Sequence, residues 1–327
     1  MQKQRATSLL LRRRPTATGS AIGTLVLLTA MTLPAAAQPK VVVTIKPVHA
    51  LVAQVMAGAG IPAIVVDGLA SPHTYALKPS DARLLNEADI VFRVSEAVEP
   101  FTARVVRSLP KKVEVVTLEA TPGIVQLSRR SGTTFETDKH AGHAHGHGAK
   151  SAEVRDGHVW LDPGNAKLML DRIAAVLAAK DAVRADLYKA NATKAKLGID
   201  ALDAEIARDL QAVAGKPFIV FHDATQYFEK RYGLNAIGSI TVSPDVPPSG
   251  KRLADLRKKV GTLNAACVFS EPNFEAKVVQ SVIEGSAART GVLDPEGARL
   301  PPGPELYGAL MRGLAKSTRE CLAGPPS

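Results

Sequence analysis

The sequence lacks an apolar run long enough to cross a membrane, the common hydrolase motifs and all but two cysteines. The apolar stretch at residues 21–33 has 13 residues, whereas a membrane-spanning helix needs about 20. Gly-x-Ser-x-Gly and His-Glu-x-x-His do not occur. Ser249-Gly250-Lys251 does not end a phosphate-binding loop, because Asp245 stands where glycine is required. These absences argue against membrane-spanning, hydrolytic and nucleotide-binding proteins.

The first 37 residues predict a secretory signal peptide. Residues 1–14 carry five basic and no acidic side chains, and the short apolar stretch follows. Ala35, Ala36 and Ala37 then supply a cleavage site of small residues. A membrane anchor and a disordered basic tail are the alternatives. We expect an exported, periplasmic chain that begins near Gln38, is soluble and does not span the membrane.

The positive charge of the whole chain does not predict binding to nucleic acid. The chain has 41 basic and 31 acidic side chains, a net charge of +10. The predicted signal peptide holds five of the basic ones, so 36 basic and 31 acidic side chains remain, a net charge of +5. We therefore expect no nucleic-acid partner.

Cys267 and Cys321 are the only cysteines. Exported proteins in an oxidising compartment tend to pair their cysteines, so a disulfide between these two is expected. Two free buried thiols are the alternative. Neither cysteine directly follows the signal peptide, which excludes a lipid-modified N-terminal cysteine.

Strand and helix patterns alternate along the mature chain, which predicts parallel sheets with crossover helices. β-Branched and aromatic runs predict strands at residues 40–45, 61–66, 90–94, 113–117, 217–221, 234–240, 266–270 and 290–293. Residues 164–213 show only helical periodicity, which indicates a long, rigid helical connector. The predicted fold is α/β, with two similar lobes at residues 38–163 and 214–327 that meet at a cleft.

Residues 119–157 interrupt the alternating pattern and predict a mobile loop. Its segment 138–148 is rich in histidine, and imidazole is the commonest metal-binding side chain near neutral pH. A solvated linker of chance composition is the alternative. We expect weak, unselective metal binding here, because ordering a flexible segment costs entropy. The histidines concerned are His140, His143, His145 and His147.

Three single histidines lie at predicted strand ends or turns. His73 and His222 follow strands, one from each lobe, and His158 precedes the connector. Ligands of open α/β sheets bind at the carboxyl ends of the strands. Spacing alone does not distinguish metal ligands from ordinary surface or core histidines.

Several short segments, spread over residues 40–322, resemble the periplasmic zinc-binding components of ABC-type metal uptake systems. The histidine-rich segment is also typical of the zinc-specific members. The segments are Thr44-Ile-Lys-Pro-Val-His49, Pro72-His73-Thr-Tyr75, Leu77-Lys-Pro-Ser-Asp81, Ala88-Asp-Ile-Val-Phe92, His158-Val-Trp-Leu-Asp-Pro163, Phe221-His-Asp223, Glu271-Pro272 and Leu293-Asp-Pro295.

The resemblance implies two α/β lobes, a long connecting helix and a metal site between the lobes. It implies His73, His158 and His222 as ligands, and Asp294 matches the family's acidic position near the metal. Three imidazoles favour zinc over manganese, and manganese-binding relatives place a carboxylate where His222 stands.

Two details of the implied site stay open. Some zinc members have a glutamate where this chain has Pro72, so the fourth ligand is Asp294, a water or a loop histidine, with Asp294 favoured. Glu271 is expected either to hydrogen-bond a ligand imidazole or to serve in the core.

The function that these features predict is capture of Zn²⁺ in the periplasm and its delivery to a membrane ABC permease. We expect a monomer that is not an enzyme and whose histidine-rich loop raises the local zinc concentration or passes ions to the site. The alternatives are a manganese or iron carrier of the same fold, a secreted zinc-dependent hydrolase and a surface adhesin.

Overall fold

The computed structural model describes residues 38–324, except for 131–134, 136–153, 242, 244–246 and 275. The predicted signal peptide and the four loop histidines lie outside the described residues. None of the described helices is both long and apolar enough to cross a membrane.

The first lobe is built on a four-stranded parallel sheet in the order β2-β1-β3-β4. Its central strands are runs of Val, Ile and Phe with both faces covered, as parallel sheets require. The strands are β1 (Val41–Val43), β2 (Ala63–Ile64), β3 (Ile90–Arg93) and β4 (Glu114–Thr117), and the helices are α1 (Lys46–Val55), α2 (Pro79–Glu87) and α3 (Thr102–Ser108).

The predicted loop at 119–157 is more ordered at its ends than its composition suggested. Strands β5 (Leu127–Ser128) and β6 (Arg155–Asp156) pair antiparallel there. The Tyr227 hydroxyl accepts a hydrogen bond from the Leu127 N–H and donates one to the Asp156 carbonyl oxygen. These contacts attach the two-stranded ribbon to the second lobe.

The connector consists of two antiparallel helices, α4 (Pro163–Lys180) and α5 (Ala185–Leu210). Ion pairs Lys167–Asp200 and Asp171–Lys196 join them along their length. The 26 residues of α5 extend about 39 Å, at 1.5 Å per residue.

Helix α5 contacts both lobes. Near its start, the Asn191 amide donates to the carbonyl oxygens of Val55 and Ala57 in the first lobe. Farther along, Asp203 accepts hydrogen bonds from Arg231 of the second lobe. The expected long helix between two lobes is therefore present.

The second lobe repeats the arrangement of the first, with a parallel sheet in the order β10-β9-β7-β8. In each sheet the first strand lies between the second and the third. The Ser249 side chain caps the helix that begins at Gly250 by accepting the Arg252 N–H. The strands are β7 (Pro217–His222), β8 (Asn235–Thr241), β9 (Cys267–Ser270) and β10 (Arg289–Val292), and the helices are α6 (Gln226–Tyr232), α7 (Gly250–Thr262), α8 (Ala276–Ile283) and α9 (Leu306–Ala323).

The expected disulfide is formed. It joins Cys267 at the start of β9 to Cys321 in the last turn of α9, with the two Cα atoms 6.1 Å apart. The bond closes a loop across a sequence separation of 54 and fixes the C-terminal helix to the second sheet.

Candidate metal centre

The structure brings together the three histidines that the sequence singled out. His73 lies in the turn after β2, His158 at the start of the 3₁₀ turn before α4, and His222 at the carboxyl end of β7. One ring nitrogen from each lies within 4.8 Å of the other two. His158 and His222 are buried and His73 is half-buried. Within the described part of the chain, this is the one group of at least three His, Cys, Asp or Glu residues that could hold a metal ion.

The spacing of the ring nitrogens fits a tetrahedral metal ion. The Nε2 atom of His158 lies 3.2 Å from Nε2 of His73 and 3.4 Å from Nε2 of His222. Ligand nitrogens at the usual zinc distance define a tetrahedron with edges of about 3.3 Å. The three Nε2 atoms can therefore face one zinc ion without large rearrangement.

Carboxylates on the far side of two rings fix their orientation. His158 Nδ1 lies 2.6 Å from Asp156 Oδ1, and His222 Nδ1 lies 2.6 Å from Glu271 Oε1. A carboxylate accepts the Nδ1 proton and leaves Nε2 as the lone-pair donor. Glu271 thus has the first of its two expected roles. Asp156 was not predicted, although its position two residues before His158 was the available signal.

The buried surroundings act in opposite directions on two of the rings. Burial, assisted by the nearby His222 ring, lowers the pKa of His158 well below its usual value. Burial also acts to lower the pKa of His222, but the Glu271 carboxylate outweighs it and raises that pKa. His158 is therefore neutral at pH 7, the form that binds a metal, and Glu271 makes His222 a stronger base.

Glu296, rather than Asp294, is the carboxylate aimed at the imidazoles. Its Oε1 lies 4.0 Å from His73 Nε2 and accepts a 3.4 Å hydrogen bond from Ser71. Its Oε2 accepts from the Asn273 amide at 3.2 Å. Burial raises the pKa of Glu296 to about 8. Nearby positive charge, such as that of a metal ion, favours ionisation of a carboxyl with so high a pKa.

The carboxylate of Asp294 serves its own loop. Its Oδ1 accepts the Ala298 N–H at 2.8 Å and its Oδ2 accepts the Arg299 N–H at 3.2 Å. The three-histidine group includes neither Asp294 nor Glu296, so the orientation of the two carboxylates is what separates them. Asp294 and Glu296 are two residues apart. The sequence motif favoured Asp294, because a sequence does not show that backbone N–H groups of the turn occupy the Asp294 oxygens.

Aromatic side chains shield the group. The Trp160 ring lies 5.3 Å from the His158 ring, and its Nε1 donates to the Pro295 carbonyl oxygen. Phe274 stacks on Phe221 and contacts the His222 ring edge-on. Water-poor walls of this kind strengthen every electrostatic interaction inside the site.

Comparison with known proteins gives a consistent result. Residues 41–321 match the family model described as zinc-uptake complex component A, periplasmic. The high-affinity zinc uptake system protein ZnuA of Brucella suis biovar 1 is 42% identical over 312 residues, which cover 86% of this chain and 91% of that protein. The protein of the same name from Paracoccus denitrificans is 37% identical over 306 residues, covering 89% and 94%.

Solved structures show the same fold. A crystal structure of ZnuA superposes with a TM-score of 0.73 at 24% identity, covering 88% of this chain and 100% of that one.

Proposed function

This chain belongs to the family of periplasmic zinc-uptake complex component A proteins, and we propose that it captures Zn²⁺ with His73, His158, His222 and Glu296 and delivers it to a membrane ABC permease. The observation that carries the proposal is the convergence of three imidazoles, in which His158 Nε2 lies at tetrahedral spacing from Nε2 of His73 and of His222 and one ring nitrogen of each lies within 4.8 Å of the others. The ion is the cargo of the protein and not a resident cofactor.

The donor set favours zinc over manganese. Three nitrogens and one carboxylate oxygen form a normal tetrahedral zinc site, whereas manganese prefers six oxygen-rich ligands. Asp156 and Glu271 hold two of the rings with Nε2 facing the ion, which fixes the geometry before the ion arrives. Glu296 supplies negative charge at the fourth position, in place of Asp294.

Capture and delivery involve no covalent step, so the protein acts as a carrier and not as an enzyme. We assign it to the periplasm as a monomer. The histidines of segment 138–148 collect zinc weakly and raise its concentration near the cleft. Arg130, which precedes this segment in the sequence, pairs with Asp223, the residue after His222.

Calorimetric titration of the purified mature chain with zinc and with manganese tests the assignment. We expect tight zinc binding, weak manganese binding, and a loss of zinc affinity of more than about 100-fold in His222→Ala and in His73→Ala. The control is His49→Gln. His49 is a buried histidine outside the group that hydrogen-bonds the Pro62 carbonyl oxygen, and its replacement should leave zinc affinity unchanged.

A protein lacking residues 138–148 completes the experiment. It should keep the tight site and lose only the weaker equivalents of zinc. If tight zinc binding survives both His→Ala changes but disappears when residues 138–148 are removed, the tight site is in the histidine-rich segment and not at His73, His158 and His222. Manganese binding as tight as zinc binding would instead favour the manganese carrier of the same fold.

A further inference from the structure

Lys46 is a buried cation that neither the metal centre nor the hydrophobic core explains. It opens α1, directly after β1, and its side chain is only 7% exposed. The ammonium group donates to the carbonyl oxygens of Ala298 at 2.9 Å and Leu300 at 3.0 Å. It also pairs with the Asp67 carboxylate at 3.2 Å. Three partners match the three donors of a lysine.

These partners belong to the two segments that carry opposite sides of the metal centre. Asp67 lies in the segment between β2 and His73. Ala298 and Leu300 lie in the second-lobe loop at residues 294–300, which presents Glu296. Lys46 therefore joins the His73 segment to the Glu296 loop.

The geometry of the 294–300 loop makes the position of Glu296 depend on this contact. Inside the loop, Asp294 accepts the N–H groups of Ala298 and Arg299, so the loop is a tight unit. From outside the loop, the Trp160 indole donates to the Pro295 carbonyl oxygen and the Lys46 ammonium donates to two loop carbonyl oxygens. Ser71 and Asn273 hydrogen-bond the Glu296 carboxylate itself, so Lys46 is one of several contacts that place it. A tight loop moves as one body when an anchor is removed.

A buried ammonium group is costly unless its hydrogen bonds are made, so it strongly favours the arrangement that supplies them. For Lys46, that arrangement is the one in which the 294–300 loop lies against the first lobe. In the same arrangement, Glu296 Oε1 is 4.0 Å from His73 Nε2.

We propose that Lys46 is a positioning residue for the metal, which holds the Glu296 loop against the His73 segment and so completes the fourth side of the zinc site. The proposal rests on the proposed function. Lys46 does not itself touch the ion, and its effect on zinc affinity passes through Glu296.

A double-mutant cycle on zinc affinity tests this. Lys46→Met should weaken zinc binding about tenfold, in the range found for residues that support metal ligands. Glu296→Gln should weaken it at least as much. The double variant should bind no more weakly than Glu296→Gln alone, because both changes remove the same contribution.

Lys216→Met is the matched control. Lys216 also donates from its ammonium to a backbone carbonyl oxygen, that of Leu322. It is more exposed than Lys46 and lies before the start of β7, whose opposite end carries His222. Its replacement should leave zinc affinity unchanged.

Fluorescence of the single tryptophan gives an independent signal, because Trp160 donates to the same loop through Pro295. Lys46→Met should shift the emission of the chelator-treated protein, and Lys216→Met should not. If Lys46→Met does not fold, Lys46→Gln, whose amide can still donate to one carbonyl, should give an intermediate loss of affinity.

Unchanged affinity in the Lys46 variants, or losses that add to that of Glu296→Gln, would overturn the proposal. Failure of the inference is distinguishable from failure of the proposed function. If His222→Ala abolishes tight binding while Lys46→Met does not weaken it, only the positioning role is wrong. If His222→Ala keeps tight binding, the metal centre itself is wrong.

Discussion

The buried acidic and basic side chains in the described part of the chain have hydrogen-bond partners. Glu99, which lies outside the metal centre, is an example. Its carboxylate accepts the N–H groups of Val94 and Ser95, both at 2.9 Å, and the Thr44 hydroxyl. Burial nevertheless raises the pKa of Glu99 from its ordinary 4.5 to about 7. The folded protein therefore holds a proton on this group that the unfolded chain has already lost.

This predicts a stability that falls with rising pH. Between pH 4.5 and about 7 the folded state binds more protons than the unfolded state, so the free energy of unfolding decreases as pH rises through that window. For Glu99 alone, the decrease is roughly 2–3 kcal/mol. Glu99→Gln mimics the protonated form and should be more stable than the parent protein at pH 7.5 but not at pH 4.5.

Urea unfolding of the chelator-treated proteins at both pH values measures the difference. The control is Glu96→Gln, because Glu96 is exposed and pairs with Arg93 across 3.4 Å. A Glu99→Gln protein with the same pH dependence as its parent contradicts the assignment.

At the residue scale, the sequence predicted the histidines of the metal centre better than the carboxylates that lie beside them. His73, His158 and His222 were singled out because they lie at predicted strand ends or turns, where an α/β fold collects ligands, and the family resemblance, not their spacing, indicated them as metal ligands. The sequence prediction missed Glu296, and it missed Asp156 although that residue lies only two positions before His158. Which carboxylate faces the rings depends on the local hydrogen bonds of the 294–300 turn and on the β5–β6 ribbon, whose two strands are distant in sequence.

The elements around the site depend on a few contacts, and the β5–β6 ribbon has the clearest one. Arg130, just beyond β5, pairs with both Asp223 and Glu229 of the second lobe. The two carboxylates are 3% and 6% exposed, so neither has water as an alternative partner. The ribbon therefore holds the base of the histidine-rich loop against the lobe that supplies His222.

Removing the cation should be costly because it leaves two buried carboxylates uncompensated. Arg130→Met should lower the free energy of unfolding by about 3–5 kcal/mol. Arg312→Met removes an arginine that pairs with the more exposed Glu205, and should cost less than about 1 kcal/mol. Denaturant unfolding of both variants at pH 7 makes the comparison, and equal small losses would show that the buried pair is unimportant.

The strands of the two parallel sheets and the connector helices were predictable from the sequence, whereas β5, β6 and α3 were not. The eight predicted strands and the connector helices coincide with observed elements within a few residues, because β-branched runs and helical periodicity are strong local signals. The two-residue strands β5 and β6 and the seven-residue helix α3 are too short to produce a period. Strands β5 and β6 form because each supplies the hydrogen-bond partners of the other.

The whole molecule is two lobes of the same strand order, and one covalent bond supports the second of them. The Cys267–Cys321 disulfide lies at the start of β9, whereas His222 ends the neighbouring strand β7. Stability and metal binding should therefore respond differently to its removal.

Replacing both cysteines by alanine should lower the free energy of unfolding by about 4 kcal/mol, the chain-entropy value for a loop of this length. Zinc affinity should stay within a factor of about two, because the disulfide lies at the amino-terminal end of β9 and His222 at the carboxyl end of the neighbouring β7. Urea unfolding and zinc titration of the variant measure the two quantities. A clear loss of zinc affinity would show that the amino-terminal end of β9, where the disulfide lies, helps to hold His222 in place.

The helix α5 has a consequence for how the cargo leaves. It packs on the first lobe through Asn191 and on the second through Asp203, so the lobes are joined by a rod and not by a flexible linker. Joints of packed helices yield by small sliding movements and not by wide opening. We therefore expect a bound ion to leave by exchanging its ligands one at a time. The receiving partner shortens the residence time of the ion by offering competing ligands.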